Sequence, residues 1–433
     1  MPTNNNPPDS PNNSFTPTDK NPTPSPDLSP YSDVLSDLKG GGGGTLKIDP
    51  ETDEKHMRRA LQLAAQTTAQ TSPNPQVGCV LTRNNEIIGE GAHYYALYDH
   101  AEIAALKQAA SLGHKTQGAT AYVTLEPCSH HGRTGPCADA LIAAGITRCV
   151  IATQDPNPQV SGRGIARLRA AGITVELALL QQPARDLNDP FARSIRTGRP
   201  LVTLKAALSV DGKLAPPPAS RTANQPHWLT GPAARADVQL LRHASDAILT
   251  GIGTVLADNP NLSDRTALPR RRPLLRVILD TNLRTPLSSQ LLLTAANDLL
   301  ILHAPTASSA KAEALQAAGA ELQPLPAHNG RLSLPAVLTL LAERHCTSLL
   351  LEAGSHINGA FLQQDLVDKA VLFYSETELG PAALPFATGI ASPYQFEHSL
   401  RRIERLTFPH GSTQDARITG YLHDPWQALP PIS

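Results

Sequence analysis

No run of 18 or more apolar residues occurs in the 433-residue chain, so no conventional membrane-spanning helix is expected. The opening residues show neither the basic segment nor the apolar stretch of a signal peptide, and a cytoplasmic protein without a membrane partner is expected. Net charge is also lacking. The 37 Lys and Arg nearly balance 38 Asp and Glu, without the basic excess of a general nucleic-acid binder, so no nucleic-acid partner is expected. Cysteine is scarce. Cys79, Cys128, Cys137, Cys149 and Cys346 are too few and too scattered for a disulfide framework, and in a reducing compartment a close pair points to metal ligation or catalysis. There is no tandem repeat at a fixed period. No Gly-x-Gly-x-x-Gly follows a strand, so the usual dinucleotide fingerprint is missing.

What is present fits a globular chain. Forty per cent of residues are apolar and 17 per cent charged, and the length suggests two domains, each able to bury its own core. Residues 1–47, rich in Pro, Asn, Ser and Thr and carrying the run Gly40 to Gly44 near their end, bury too little apolar surface to offset their ordering entropy and read as a disordered tail. A first domain is expected over 48–182, a polar linker over 183–199 and a second domain over 200–433.

In the first domain, Met57, Ala60, Leu61 and Ala64 recur at helical spacing within 53–68. Stretches 77–81 and 87–91 read as a hairpin turning at Asn84-Asn85. A helix over 100–112, a strand over 121–125, a helix opened by Pro136 and closed by Gly145, and strands over 149–153 and 173–178 follow. The second domain opens with a strand over 201–208. It continues with helices over 232–242, 308–318, 335–343 and 356–363 and strands over 246–250, 275–280, 298–302, 348–352 and 367–374. Both domains are thus expected to be layered α/β.

The chemistry is most legible where His100-Ala101-Glu102 opens a helix and Pro127-Cys128, eight residues, then Cys137 follow a strand. One imidazole and two thiolates make three ligands for tetrahedral zinc and leave the fourth position open, as in catalytic sites. Glu102, two residues from the histidine, is placed to move protons between water, a ring nitrogen and a departing amine, which is what hydrolytic deamination requires. A closed structural zinc site or a pair of unligated buried thiols is the bland alternative.

The string Pro127-Cys128-Ser129-His130-His131-Gly132-Arg133-Thr134-Gly135-Pro136-Cys137 resembles the signature of the riboflavin-pathway pyrimidine deaminases. Gly135 stands where that family usually has proline. Pro73-Asn74-Pro75, Gly91-x-His93 and Asp155-Pro156-Asn157-Pro158 fit the same family, with Leu97 replacing a common glycine. The resemblance implies that Asn74, His93, Asp155 and Asn157 line a pocket for a pyrimidine and its phosphorylated ribose. On residue type alone, Asn-Pro and Asp-Pro are turn formers.

Thr203 to Lys213, Trp228-Leu229-Thr230-Gly231, Leu241-Arg242, Asp246-Ala247-Ile248, Gly253 to Arg265 and Glu352-x-Gly354 resemble, in order and spacing, the riboflavin-pathway reductases. The implied architecture is a cytidine-deaminase-like three-layer α/β domain followed by a dihydrofolate-reductase-like α/β domain. The resemblance implies NADPH contacts from Leu208, Trp228, Thr254, Asp258 and Gly354, Ser355, His356, Ile357, Asn358 and Gly359. It implies substrate contacts from Arg242, Leu262, Arg265 and Glu352, with Lys205 and Asp258 as candidate polarising groups. Pro226 and the insertion Pro216-Pro217-Pro218 depart from the pattern.

The expectation is therefore one zinc per chain, NADPH, and a phosphoribosyl pyrimidine that is first deaminated and then reduced from ribosyl to ribityl, by a homo-oligomer joined through the second domain. A nucleoside or nucleic-acid deaminase fused to an unrelated reductase is the enzymatic alternative. A zinc-stabilised scaffold is the non-enzymatic one.

Overall fold

The computed structural model describes residues 50–130, 135–221 and 227–427. The expected disordered tail lies outside them, as do His131 and Pro226.

The first half is built on helix α1 (Pro50–Ala65), strands β1 (Gly78–Arg83) and β2 (Glu86–Ala92), helix α2 (Ala101–Ser111), β3 (Thr120–Val123), α3 (Cys137–Ala143), β4 (Arg148–Ile151), α4 (Arg163–Ala170), β5 (Thr174–Leu177) and α5 (Gln181–Thr197). The strands form one sheet in the order β2-β1-β3-β4-β5, antiparallel at β2-β1-β3 and parallel from β3 to β5. Side chains alternate across a strand, so neighbouring residues enter different layers. Cys79, Leu81, Ala121 and Val123 pack with Ala101, Ala105 and Ala109 of α2, Leu141 of α3 and Leu168 of α4. Val80, Tyr122 and Val150 face Met57, Ala60 and Leu63 of α1 and Ala184 of α5 on the other side. The result is three layers, as expected.

The second half contains β6 (Leu201–Leu208), β7 (Lys213–Ala215), α6 (Pro232–His243), β8 (Ala247–Gly251), α7 (Ile252–Asp258), β9 (Leu275–Leu279), α8 (Gln290–Leu293), β10 (Leu299–His303), α9 (Ser309–Ala317) and β11 (Glu321–Pro324). It continues through β12 (Ala327–His328), β13 (Arg331–Leu332), α10 (Leu334–Glu343), β14 (Ser348–Leu351), α11 (Ser355–Gln363), β15 (Lys369–Tyr374), β16 (Leu384–Pro385), α12 (Pro393–Glu397), β17 (Arg401–His410) and β18 (Thr413–Tyr421). Nine strands order as β11-β10-β9-β8-β14-β6-β15-β18-β17. The first seven are parallel, and β18 and β17 are antiparallel additions at one edge. The central strands read as continuous apolar runs because helices cover both faces. Val202, Leu204 and Ala206 pack toward α10 and α11, while Ile248, Ile278 and Leu350 pack toward α7, α8 and α9. No helix among the described residues is long and apolar enough to cross a membrane.

One expectation is corrected. Residues 183–199, read as a polar linker, belong almost entirely to the 17-residue helix α5. Its buried positions include Asn188, Asp189 and Arg193, and Pro190 lies inside it, so the apolar periodicity that reveals a helix is carried by polar groups. They bury because each has a partner. Arg193 pairs with Asp368, and Asp189 accepts hydrogen bonds from Tyr421 Oη at 2.6 Å and Trp426 Nε1 at 2.9 Å. The hairpin β17–β18 was also not foreseen. No residue of β17 is fully buried, and two of the four buried residues of β18 are the polar Asp415 and Thr419, which dilutes the hydrophobic signal.

Candidate active sites

In the first half, chain direction brings three donors together. β3 ends shortly before Cys128, Cys137 is the first residue of α3, and His100 caps the start of α2. His100, Cys128 and Cys137 present ligand atoms all within 4.8 Å of one another. His100 Nδ1 faces both sulfurs, at 3.5 Å from Cys128 Sγ and 3.2 Å from Cys137 Sγ. The Cys137 amide, at a helix start, donates to Cys128 Sγ at 3.3 Å. The hydrogen bond from the Cys137 thiol, set against burial and aided by His100, draws the Cys128 thiol well below its usual range, which favours the thiolate that binds metal. Glu102, 3% exposed, lies in the first turn of α2. Burial, then the Cys128 charge, pushes its carboxyl up to about 7. A soft, borderline donor set of this size suits zinc.

Glycine makes the approach of α2 possible. A Cβ at Gly91 would overlap the Ala101 carbonyl and the Ala105 amide nitrogen. Gly91→Ala should therefore push α2 off β2, lowering stability by the ~1–3 kcal/mol typical of overpacking and weakening zinc retention. Thermal unfolding and loss of metal to a chelator measure both effects, and parental values for both would contradict this account.

The remaining residues expected at this pocket are partly assembled. His93 Nδ1 donates to the Asp99 carbonyl at 2.8 Å, so its Nε2 is the acceptor for Asn74 Nδ2 at 3.0 Å. The His93 ring also meets the His100 ring edge-on at 5.4 Å. Asp155 Oδ1 accepts from the Asn157 amide at 2.8 Å, and Asn157 Oδ1 accepts from the Gln159 amide at 3.0 Å. Both side chains thus build turns of the kind their residue type favours. Asp155 nevertheless lies near enough to Cys128 and His130 for their charges to act on it, and burial foremost pushes it up to about 6.

Glu126 was missed. Buried directly before Pro127-Cys128, it accepts from the amides of Asp155, Gly162, Gly164 and Ile165 at 2.9–3.2 Å and so ties the Cys128 loop to the Asp155 loop. A glutamate at a strand end carries no signal of that role.

In the second half, Leu351 pairs with Leu204 in the β14–β6 ladder, which brings Glu352 beside Lys205, 3.8 Å apart. Arg242, from the last turn of α6, clamps Glu352 with two parallel bonds of 2.8 and 3.0 Å and donates a third to the Ser263 carbonyl at 3.1 Å. Its fork is thus occupied internally, whereas the exposed Arg265 side chain makes no hydrogen bond or ion pair among the described residues. Burial alone would raise the Glu352 carboxyl. Arg242, then Lys205, more than offset this and bring it down to about 2.

A carboxylate held below its ordinary value of 4.5 contributes its stability fully above that pH and loses it as pH falls toward about 2. The stability difference between parent and Glu352→Gln should therefore shrink from pH 4.5 downward. Denaturant titrations at stepped pH measure it, and a constant difference would refute the assignment.

At the carboxyl ends of the adjacent strands β8 and β14, helices α7 and α11 begin. Gly354, the cap of α11, sits beside Thr254 of α7, and a Cβ at Gly354 would meet only Thr254 Oγ1, at 3.9 Å. Backbone amides at such a crevice suit a nucleotide's phosphates. Thr250 Oγ1, at the end of β8, and Asn358 Oδ1 are buried without a partner among the described residues. Trp228 is 58% exposed, with the Arg235 guanidinium 5.1 Å from its ring centre. Asp258 is half-buried, and burial pushes its carboxyl up against the opposing charge of Arg221. Other expected contacts turn inward. Leu208 and Leu262 are core residues, Asn358 Nδ2 donates to the Phe386 carbonyl at 3.1 Å, and Gly359 packs under the Thr388 backbone. Ser355 and His356 both reach the Thr388 hydroxyl, and Ile357 packs over Gly251.

Residues 50–153 match the cytidine and deoxycytidylate deaminase zinc-binding region, and residues 200–407 match the RibD C-terminal domain. The riboflavin biosynthesis protein RibD of Escherichia coli (strain K12) is 42% identical over 357 residues, covering 80% of this chain and 95% of that protein. The chain belongs to the RibD family. A RibD structure from Acinetobacter baumannii covers 86% of this chain and 99% of its own at 34% identity and a TM-score of 0.71. A Thermotoga maritima structure described as a diaminohydroxyphosphoribosylaminopyrimidine deaminase/5-amino-6-(5-phosphoribosylamino)uracil reductase has the same coverage, 31% identity and a TM-score of 0.71. As a RibD protein the chain is a bifunctional enzyme of riboflavin biosynthesis, a deaminase and a reductase in one polypeptide. RibD membership disfavours an unrelated reductase fused to a nucleoside or nucleic-acid deaminase.

Proposed function

We propose that the chain deaminates 2,5-diamino-6-(5-phosphoribosylamino)pyrimidin-4-one and then reduces the ribosyl group of the product to ribityl with NADPH. The observation that carries the first half is the buried Glu102 beside the three convergent donors His100, Cys128 and Cys137. These donors would hold one zinc ion, which when bound supplies the Lewis acidity that makes hydroxide available near neutral pH. Glu102 takes one proton from water as the water oxygen bonds to the amine-bearing carbon and gives it to the ring nitrogen, then takes the second from the hydroxyl so formed and gives it to the amine as the carbonyl forms. The carbon–nitrogen bond breaks and ammonia leaves. Asn74 and His93, hydrogen-bonded to each other, orient the pyrimidine, with Asp155 and Asn157 on the facing loop.

Thr254, Asp258, Trp228 and the start of α11 would hold NADPH, which when bound would supply hydride to the sugar carbon at the aldehyde or imine level. Lys205 and Asp258 are the groups that polarise or protonate the atom receiving charge. Lys205 suits this because burial lowers its pKa, with Glu352 opposing. Arg265, its fork unused, is better placed than Arg242 to grip the substrate phosphate with paired hydrogen bonds. Glu352 keeps Arg242 and Lys205 in place.

The enzyme acts in the cytoplasm, a setting that suits its five free cysteines, and as a homo-oligomer joined through the reductase domain. The experiment is a two-stage assay of the purified chain given the diamino compound, with ammonia and NADPH followed separately. Ammonia should appear first and NADPH oxidation should wait for it. Ammonia release from cytidine or tRNA in preference to this substrate would overturn the reading.

A further inference from the structure

The loop between α1 and β1 carries Asn74, and residues outside the deaminase layers hold it. Ser72 Oγ donates to Asp246 Oδ2 at 2.8 Å, a bond between residues 174 apart in sequence. Asp246, 6% exposed, precedes β8 of the reductase half. Its Oδ2 also accepts from the Thr347 amide at 2.7 Å and the Thr347 hydroxyl at 2.9 Å, and its Oδ1 pairs with Arg272 Nη2 at 2.9 Å. Arg272 Nη2 in turn reaches the His345 carbonyl at 2.7 Å and Ser72 Oγ at 3.2 Å. The neighbouring Arg271 donates its amide to the Ala69 carbonyl at 3.0 Å and lays its guanidinium 4.2 Å from the centre of the Tyr95 ring. Four residues on from Ser72, Asn188 of α5 clamps Gln76, accepting from its amide at 2.8 Å and donating to its carbonyl at 2.9 Å.

We propose that the reductase half positions the deaminase pocket: Asp246, braced by Arg272, fixes Ser72 and through it the Asn74 that contacts the pyrimidine. This rests on the reading of Asn74 as a pocket residue. Among the described residues Asn74 makes one side-chain hydrogen bond, to His93, so its place follows from the two fixed points flanking it. Holding both in advance spares the substrate the cost of ordering the loop. A bond from one domain to a loop of another could instead serve only to staple them. The two roles separate in kinetics. Positioning changes KM for deamination, whereas stapling changes stability and both activities together. Ser72 is therefore a positioning residue, and removing its hydroxyl leaves Asp246 its Thr347 and Arg272 partners.

The test uses the full-length, zinc-loaded protein and its Ser72→Ala, Ser72→Thr and Asn74→Ala variants. Ammonia release from the diaminopyrimidine ribosyl phosphate, NADPH oxidation with the deaminated compound, zinc content and Tm are measured for each. Ser72→Ala should raise the deamination KM about fivefold, the scale of one hydrogen bond's net contribution, with kcat, zinc content and NADPH oxidation unchanged. Ser72→Thr should restore KM. An unchanged KM in Ser72→Ala alongside a raised KM in Asn74→Ala overturns the proposal and leaves the pocket reading standing. An unchanged KM in both overturns the two together. Parallel loss of both activities and Tm in Ser72→Ala makes the bond a staple and overturns the proposal.

Discussion

Glu102→Gln should keep its zinc and release ammonia at least ~10²-fold more slowly, the usual cost of losing a general base. Glutamine preserves the side chain's volume at a position 3% exposed, so the fold of α2 and the direction of His100 should survive the change. What is lost is the capacity to accept a proton from water. Metal analysis and ammonia assays on the same preparation separate the two effects. Near-normal turnover would place the base elsewhere, with His93 the next candidate. Loss of zinc together with activity would mean that Glu102 holds the donor set together and is not its proton shuttle.

Cys128→Ser should lose zinc and with it all measurable ammonia release, while NADPH oxidation with the deaminated compound continues. A serine hydroxyl does not ionise near neutral pH and cannot replace a thiolate as a zinc ligand. It also removes the sulfur that accepts from the Cys137 amide and faces His100 at 3.5 Å, so the remaining two donors lose both a ligand and a neighbour. The Lys205–Glu352–Arg242 cluster belongs to the reductase half and shares no hydrogen bond with the His100, Cys128 and Cys137 side chains. Zinc at parental occupancy in this variant would remove Cys128 from the ligand set. Equal loss of NADPH oxidation, with the protein still folded, would show that the reductase depends on an intact metal site.

Legibility in the sequence followed how local each feature is. The hairpin at Asn84-Asn85 and the runs that became β6, β8 and β14 could be read because turn chemistry and apolar runs act over a few residues. Helix α5 was hidden because Asn188, Asp189 and Arg193 are buried by partners far along the chain, and no window of sequence contains Asp368, Tyr421 or Trp426 beside them. The expected reductase contacts divided in the same way. Motif spacing pointed to Arg242 and Glu352 without revealing that they spend their hydrogen bonds on each other, and to Leu208 and Asn358 without revealing that both face inward.

The sequence by itself determined the two α/β halves and the family, and it pointed to the proposed zinc donors and to the proposed acid–base group beside them, because each rests on residue type at short spacing or on an ordered string of motifs. Tertiary structure alone decided which arginine keeps a free fork, how Glu126 joins two loops, and that Ser72 of the deaminase leans on Asp246 of the reductase. Such contacts depend on which side chains meet after the sheets have formed. A hydrogen bond between residues 174 apart leaves no periodicity and no spacing in the chain from which it could be read.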